Sequence, residues 1–316
     1  MPRAIGANSK LHMAVETLYG TPPSGDWRLM PFVSCDLGAE QPFIDADVIG
    51  LAPNRDVAPP FRDVVTVQGQ AVVPVDLEFI GDWLRLLLGP PTTSGTGPDY
   101  EHMFVSGAAT LPSVSIELAY PDVPNFDVIA GVRADTFEID FSPSGAATAT
   151  FGLIGQGSTR SGTSAAGTPT TRAYTAFNKA QGAIKRNGSS LAQITGGSLS
   201  FANGIEVVRT IRNDLRIEGV DPGLARATGQ VTSRFADTLL LDDATGNAAI
   251  ELEFEYRISD TRRLTVTLHE AYLALAKTPI QGPAGVQATF DLRAAYNAAA
   301  GCMMTVTLRN GVETYA

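Results

Sequence analysis

The sequence predicts an all-β protein with a minor α component, and three observations support this fold class. Glycine and proline are abundant, with 31 and 20 residues in a chain of 316, and they separate short runs rich in Val, Ile, Thr and Phe. Several runs alternate apolar and polar residues, the period expected when one face of a sheet is buried and the other is wet. The third observation is an internal repeat, which suggests that one β-domain occurs twice.

The alternating runs give the predicted strands of each half. In the first half these are residues 64–67, 70–75, 113–118, 135–141 and 149–151. In the second half they are residues 198–201, 228–235, 250–256, 264–268 and 286–292.

Each half also contains one apolar run that predicts a helix. Residues 79–88 end before Gly89, Pro90 and Pro91, a stop signal of glycine followed by proline. Residues 237–244 begin with a capping-type Asp237 and end before a glycine. A single apolar helix in each half would cover one face of a β-sandwich domain.

Four ordered matches at nearly constant spacing define the repeat. They pair Gly69-Gln70 with Gly229-Gln230, residues 114–120 with 266–272, residues 131–139 with 285–292, and residues 148–151 with 305–308. We therefore predict two similar β-domains, residues 1–157 and 173–316, joined by a Gly-, Ser- and Thr-rich linker at residues 158–172. Chance similarity among β-strands is the alternative interpretation.

Composition limits the classes of function. With 44% hydrophobic and 18% charged residues the chain is globular, and its formal charge of −10 argues against a protein that grips nucleic-acid phosphates. The two cysteines, Cys35 and Cys302, lie at opposite ends of the sequence and are expected to remain thiols. The N-terminus has no apolar signal core and no apolar run is long enough to cross a bilayer. We expect synthesis and assembly in a cytoplasm and no membrane partner.

The sequence motifs predict no catalytic, cofactor or metal site. The three histidines, His12, His102 and His269, lack metal-ligand spacing, and the motifs of phosphate loops, serine hydrolases and zinc proteases are missing. Carboxylates that alternate by two residues leave a glycoside hydrolase as an alternative. In a strand such spacing puts them on one face, which is most simply the solvated face of a sheet.

Two long irregular stretches, about residues 39–63 and 203–222, mix large apolar groups with charges and prolines. Loops of this length inside compact domains are uncommon and are often functional. We interpret them as arms that become ordered on a neighbouring subunit, with packed surface loops as the alternative. The apolar residues expected to make these contacts are Phe43, Ile44, Val48, Ile49, Phe61, Ile205, Val207, Ile211, Leu215 and Ile217.

Several segments resemble the tail tube proteins of long-tailed, siphovirus-like bacteriophages. The resemblance covers nearly the whole chain, although no single motif is diagnostic. It is carried by residues 3–8, 30–42, 111–117, 216–222, 234–238 and 279–290. The family resemblance implies β-sandwich domains with a flanking helix, assembled in the virion into stacked rings around the channel through which DNA passes into the host. The family offers no catalytic residues to transfer.

An internally duplicated, acidic chain without chemistry suits such a self-assembling structural protein, because ring closure removes open sheet edges. Two domains in each chain favour a trimeric ring with pseudo-sixfold symmetry over a hexamer, with other tail proteins at the tube ends. DNA would pass without specific binding along a lumen richer in acids than in bases. The candidate lumen acids are Glu138, Asp140, Glu251, Glu253 and Glu255, with the outer wall as their alternative location. An adhesin-like β-sandwich that binds a surface is the alternative function.

Overall fold

The computed structural model describes residues 3–50, 54–280 and 282–315, and within them the chain is mainly antiparallel β-structure. The predicted fold class is confirmed. Residues 51–53 of the first arm, Gln281 of one resembling segment and the chain ends included in the predicted domains lie outside the described residues. Among the described residues no helix is long and apolar enough to span a membrane.

The strands of the first half are β1 (Lys10–Val15), β2 (Arg28–Met30), β3 (Ser34–Cys35), β4 (Gly38–Glu40), β5 (Phe43–Ile44), β6 (Phe61–Arg62), β7 (Thr66–Pro74), β8 (Thr92–Thr96), β9 (Asp99–Val105), β10 (Val114–Tyr120), β11 (Asn125–Phe141), β12 (Thr148–Gly155) and β13 (Gly157–Ser161). The strands of the second half are β14 (Gly182–Arg186), β15 (Ser189–Ser190), β16 (Ile194–Ala202), β17 (Glu206–Val208), β18 (Gly219–Asp221), β19 (Arg226–Arg234), β20 (Ile250–Ser259), β21 (Arg262–Leu273), β22 (Gln287–Ala294) and β23 (Met304–Asn310). The helices are α1 (Ile80–Leu88) and α2 (Leu239–Gly246), with short 3-10 turns at Gly6–Asn8 and Lys179–Gln181.

Both predicted helices are present, and local capping sets their ends. The Asp76 carboxylate accepts hydrogen bonds from the N–H groups of Glu78 and Phe79 just before α1 begins. Helix α1 ends at Gly89, whose φ of 94° is costly for residues with a Cβ. Helix α2 begins two residues later than predicted, because Asp237 caps it from outside by accepting the N–H of Leu239.

One continuous sheet crosses from the first half to the second, and we call it the shared sheet. Its order is β3 and β4 side by side along β7, then β12, the C-terminal part of β11, β16, β19 and β22. Two further sheets pack against it. The first facing sheet has the order β2-β1-β10-β11-β13, and the second facing sheet has the order β15-β14-β20-β21-β23-β9-β8. Strand β11 spans 17 residues and belongs to both the shared sheet and the first facing sheet.

One large hydrophobic core extends through both halves, and a small second cluster contains Trp27 and Val128. Phe141 of the shared sheet packs against Phe254 of the second facing sheet, with 5.3 Å between ring centroids. In the first half Trp83 of α1 stacks on Phe151 at 5.3 Å. The two halves therefore share strand ladders and core and are not separated by a cleft.

The order of strand pairing in the first half recurs in the second. Strands β7, β12, β11 and β10 pair in the same succession as β19, β22, β21 and β20, and β1 pairs with β10 as β14 pairs with β20. The run Ala-Thr-Phe-x-Leu occurs at residues 149–153 and again at residues 288–292. Phe151 lies opposite Ala71, and Phe290 lies opposite Val231. These runs therefore occupy equivalent places.

The matched glycines of the repeat also share a structural role. A Cβ added at Gly69 would lie 2.5 Å from the Cα of Leu37, and one added at Gly229 would lie 3.2 Å from the Cα of Leu199. The other three sequence matches are shifted by one strand. Strand β10 corresponds by pairing to β20, β11 to β21, and β12 to β22. Alternating strands resemble one another whichever strands are compared, so the pattern alone could not fix the equivalence.

The segment predicted as a linker at residues 158–172 is held by hydrogen bonds. Its first residues belong to β13, which pairs with β11. Further along, Ser164 Oγ and the Ala165 N–H donate to the Glu117 carboxylate, and Leu29 N–H donates to the Thr170 carbonyl. The Gly- and Ser-rich composition predicted a free linker because it lacks apolar groups, but edge pairing needs only backbone groups.

Candidate assembly surface

The shared sheet has one face in the core and one polar face, as its alternating sequence predicts. Residues that lie directly opposite one another form a row across six strands: Val72, Thr150, Glu138, Ser200, Thr228 and Arg293. Most of the polar face consists of Thr, Ser and Gln. Hydrogen bonds join neighbouring strands on it, from Gln230 Nε2 to Asp291 at 2.8 Å and between the hydroxyls of Thr232 and Thr289 at 2.9 Å.

Two of the five candidate lumen acids lie on this face. Glu138 and Asp140 are both exposed, whereas Ile139 between them is buried in the core. Asp140 forms an ion pair with Lys179. The predicted period of two is therefore correct for this pair.

The other three acids lie on a different sheet. Glu251, Glu253 and Glu255 belong to β20 of the second facing sheet, on the side of the strand opposite Leu252 and Phe254. Glu251 and Glu253 are half-buried, whereas Glu255 is only 2% exposed. All three lie beside basic side chains. Lys185 Nζ lies 2.9 Å from Glu255 and 3.3 Å from Glu253, Arg263 lies 3.7 Å from Glu255, and His269 lies 3.6 Å from Glu251. Burial favours a lower pKa for Lys185, but the two carboxylates outweigh it and raise that pKa.

The exposed charges on the polar face are few and unevenly distributed. With β3 and β4 and the bend between them included, the alternation puts on it the acids Asp36, Glu40, Glu138, Asp140 and Asp291 and the arginines Arg226, Arg234 and Arg293. All three arginines are in the second half, whereas four of the five acids are in the first. The excess of acids is therefore small, and uncharged polar groups dominate the face.

The two halves meet along the ladder between β11 and β16, which we call the internal junction. Residues 136–141 pair antiparallel with residues 202–197. Just beyond this ladder, Asn203 Nδ2 donates to the carbonyls of Leu87, at 2.8 Å, and Ala134, at 3.1 Å. Asn203 thereby ties the end of α1 to β11 across the internal junction.

The second arm, residues 203–222, packs back onto the first half. Val65 N–H donates to the Leu215 carbonyl at 2.9 Å, Arg133 Nη1 to the Val220 carbonyl at 2.6 Å, and Gln156 Nε2 to the Glu218 carbonyl at 3.0 Å. Ile217, predicted to be an intersubunit contact, is only 4% exposed and is buried within its own chain. Its burial follows from this packing, which the composition of the arm could not reveal.

The first arm, residues 39–63, projects with little cover in its described part. Its base is the short hairpin of β5 and β6. The predicted contact residues Phe43, Ile44, Val48, Ile49 and Phe61 are all exposed. In the second arm Val207, Ile211 and Leu215 are exposed and Ile205 is half-buried. Of the five predicted contact residues on the first arm, four have more than half of their surface exposed to solvent. The fifth, Ile44, is 48% exposed.

Two edges of the shared sheet are open in the part of the chain that the structure describes. At one end, residues 34–40 pair with β7 on one side only. At the other end, residues 274–280 continue from β21, and after the bond from Ala274 N–H to the Asp291 carbonyl no backbone hydrogen bond joins them to another described strand. Open edges of this kind are templates for pairing with another chain.

The buried titratable groups have structural partners. His12 Nδ1 lies 2.9 Å from Glu117 Oε1, and Glu16 accepts hydrogen bonds from the hydroxyls of Ser113 and Ser115. Burial favours a raised pKa for Glu117, but hydrogen bonds from His12, Ser164 and Ala165 outweigh it and lower that pKa. Within the described residues no three His, Cys, Asp or Glu side chains come together in a way that could hold a metal ion.

An open groove of about 740 Å³ lies beside the second half of the shared sheet. Its walls are residues 106–109, 222–228, 293–296 and 301–303, together with Asn203. Tyr296 is the one aromatic residue and no carboxylate is present among these lining residues. The groove therefore lacks the aromatic or acidic ligand pocket that an adhesin-like module would need.

A family model described as phage tail tube protein matches residues 6–294. No curated protein matches the chain.

Proposed function

The chain belongs to the phage tail tube protein family, and from this premise we propose that its copies join side by side into rings whose stacking forms the tail tube. As a member of this family the protein is a structural component of the virion tail, which works by self-assembly and contact with other tail proteins. The siphovirus-like tail, the absence of catalysis and synthesis in the host cytoplasm are parts of the proposal.

One observation carries the proposal of lateral ring formation. The shared sheet passes through the midpoint of the chain without a break, and both of its ends are open. At one end residues 34–40 pair only with β7, and at the other end residues 287–290 of β22 pair only with β19, while residues 274–280, which follow β21, form no strand. An open sheet exposes unpaired N–H and C=O groups, and closing it into a ring is a way to satisfy them. No feature of the described residues favours the adhesin-like alternative.

We propose further that the chain contains two tail-tube domains, so that three chains supply six domains to a ring. The repeated pairing order and the equivalent Ala-Thr-Phe-x-Leu runs support the duplication. The internal junction would then be one of six similar steps around the ring, three within chains and three between them. This arrangement is the trimer with pseudo-sixfold symmetry.

The polar face of the shared sheet is the proposed wall of the DNA channel, with Glu138 and Asp140 among the groups that line it. A lining of Thr, Ser and Gln with a small excess of acids offers DNA no cluster of cations to hold its phosphates. Glu251, Glu253 and Glu255 would lie on the outer wall, because their sheet faces the opposite way.

Electron microscopy and mass measurement of the purified protein test the ring. We expect rings or tubes by negative stain and a ring mass of three chains. Compact particles that never exceed a monomer at high concentration would contradict the tube function. A ring of six chains would contradict the trimer alone.

Deletion of residues 43–60 tests the first arm. We expect a folded β-protein with native circular dichroism that fails to form tubes, because the exposed apolar groups of the arm would no longer bridge subunits. Tube formation at the wild-type level by this variant would contradict the proposed role.

A further inference from the structure

The open edge at residues 34–40 is the counterpart of β16. Ser34 lies opposite Val72 as Gly196 lies opposite Thr232, and Cys35 lies opposite Ala71 as Gly197 lies opposite Val231. The same correspondence holds further along the strand, where Glu40 pairs with Thr66 as Ala202 pairs with Arg226. In β16 the other side of the strand is covered by β11, whereas at residues 34–40 it is uncovered.

Residues 274–280 are the counterpart of the part of β11 that covers β16. Ala134 lies opposite Leu153 as Leu273 lies opposite Leu292. In the first half the register shifts after Ala134, so that Thr136 lies opposite Gly152 and Asp135 is the extra residue. We place Ala274, whose N–H donates to the Asp291 carbonyl, at the position of Asp135, so that residues 275–280 correspond to residues 136–141.

The burial alternates in the same way over residues 275–278. Ala276 and Thr278 are half-buried, at the places where Phe137 and Ile139 are buried, whereas Leu275 and Lys277 are exposed. Ile280 differs, because it is 83% exposed at the place where Phe141 is 6% exposed and covered by the other half of the chain.

We infer that residues 275–280 of one chain add as an antiparallel strand to residues 40–35 of a second copy, in the register of the internal junction. The inference rests on the proposed lateral ring and specifies how one chain joins the next. In the internal junction Thr136 lies opposite Ala202, and Phe141 lies opposite Gly197. The equivalent pairs between two chains would be Leu275 opposite Glu40 and Ile280 opposite Cys35.

Charge complementarity supports this register. Lys277 corresponds to Glu138 and would lie opposite Gly38, with Asp36 and Glu40 as its diagonal neighbours on the same face. Diagonal pairs across antiparallel strands are within reach of long side chains. Residues 275–280 form no strand in the isolated chain. Pro279 lacks an N–H donor, and proline is tolerated in a strand only at an edge or at a position whose N–H makes no ladder bond, so the inferred strand must leave the Pro279 nitrogen outside the ladder.

The groove beside the second half gives the first arm of the second copy a place to bind. In the first half, Val65 and Gln156 hold the second arm through hydrogen bonds to its backbone. The positions equivalent to them in the second half are Ala225 and Ala295, and both line the groove. The second copy would therefore put its first arm into this groove as its strand at residues 35–40 pairs.

Thiol cross-linking tests the register directly. In an Ile280→Cys variant the introduced thiol would face native Cys35 of the neighbouring chain, since directly opposite side chains lie on one face at distances a disulfide or a short bis-maleimide can span. We expect most chains in assembled material to become covalently linked, with the ladder on a non-reducing gel ending at the number of chains in one ring.

Two matched controls accompany this variant. Pro279→Cys puts the thiol on the opposite face of the strand and should cross-link at least about tenfold less, because a shift of one residue reverses the side. Ile280→Cys combined with Cys35→Ala should not cross-link through this pair, and buried Cys302 is common to all variants.

A charge reversal provides a second readout should the cysteine variant fail to assemble. Lys277→Glu should reduce tube formation by at least about tenfold, because like charges would meet at every junction. Adding Asp36→Lys to this variant should restore most of the tube formation.

Two outcomes would overturn the inferred junction and leave the tube function standing. One is tubes of the Ile280→Cys variant that do not cross-link to Cys35, and the other is undiminished tube formation by Lys277→Glu. A wild-type chain that forms neither rings nor tubes would overturn the proposed function itself.

Discussion

Helix α1 is buried on nearly all sides, whereas α2, which follows the equivalent strand in the second half, is largely exposed. Every residue of α1 except Arg85 is buried, but only Leu240, Asp243 and Ala244 are buried in α2. Helix α1 packs on β9, β11 and Phe151 of the first half, and residues of the second half complete its cover. Asn203 donates to the Leu87 carbonyl near its end, and Tyr315 donates to the Glu78 carbonyl beside its first turn.

The unequal burial of the two helices shows that the first half is covered by the second half of the same chain, whereas the second half has no equivalent cover among the described residues. The first half receives β16, the second arm and the C-terminal tail, whereas the second half leaves residues 274–280, a groove and one side of α2 uncovered. Since the pairing order of the halves is the same, the unequal burial is best understood as an incomplete copy of the internal junction. A neighbouring chain would complete it.

The largest expected effect of a single substitution is at one of the equivalent phenylalanines of the two Ala-Thr-Phe-x-Leu runs. Phe151→Ala should lower the free energy of unfolding by about 3–5 kcal/mol, because it leaves a cavity between Trp83 and Phe137. Phe290→Ala should cost about 1 kcal/mol less, since the structure gives Phe290 no aromatic neighbour among the described residues. Urea unfolding of the two variants measures the difference, and equal losses would contradict the unequal packing of the halves.

A pH-dependent difference is expected between the aspartates that cap the two helices. Burial raises the pKa of Asp76 from 3.8 to about 7, against opposing hydrogen bonds from Phe79 and Glu78. Because the folded state holds this proton more tightly than the unfolded state, the contribution of Asp76 to stability is full below pH 4. It is lost as the pH rises towards 7, by up to about 4 kcal/mol.

Asp76→Asn keeps an oxygen acceptor but cannot titrate, so this variant should lose that part of the pH dependence. Asp237→Asn is the matched control, because Asp237 caps α2 from an exposed position. Unfolding measured from pH 4 to pH 8 distinguishes them. An Asp76→Asn profile parallel to that of the wild type would contradict a buried, protonated Asp76.

The smallest expected effects on stability concern glycines of the two helices. A Cβ at Gly81 would lie 2.3 Å from the ring of Tyr315, which is held by hydrogen bonds to Asn310 and Glu78. Gly81→Ala should therefore cost about 1–3 kcal/mol through overpacking. A Cβ at Gly246 would meet no atom within 4 Å, so Gly246→Ala should change stability by at most about 0.5 kcal/mol. Thermal unfolding of both variants measures these changes in stability. A Gly81→Ala variant as stable as the wild type would contradict tight packing of the Tyr315 ring against α1.

Much of the fold could be predicted from local pattern. The alternation in β20 put Glu251, Glu253 and Glu255 on one face, and Gly89 with the following prolines marked the end of α1. Composition predicted the exposed first arm as well. These features depend on residues close in sequence, where the strand period and the capping geometry act directly.

The choice of strand partners depended on tertiary structure. Alternation states which side of a strand is buried but not which sheet it joins, so the acids of β20 could not be separated from Glu138 and Asp140 by sequence. In the same way, Ile217 and Phe43 are both large apolar residues of a predicted arm, and the sequence does not distinguish them. Only Ile217 is buried, because the second arm packs against the first half of the chain. The sequence by itself thus determined which faces of the main strands are buried and where the two helices lie, but not which strands of the two halves are equivalent. The internal junction and the two open edges depend on strand pairing between residues far apart in the chain. Local alternation does not show which distant strands pair, so only the tertiary structure could reveal them.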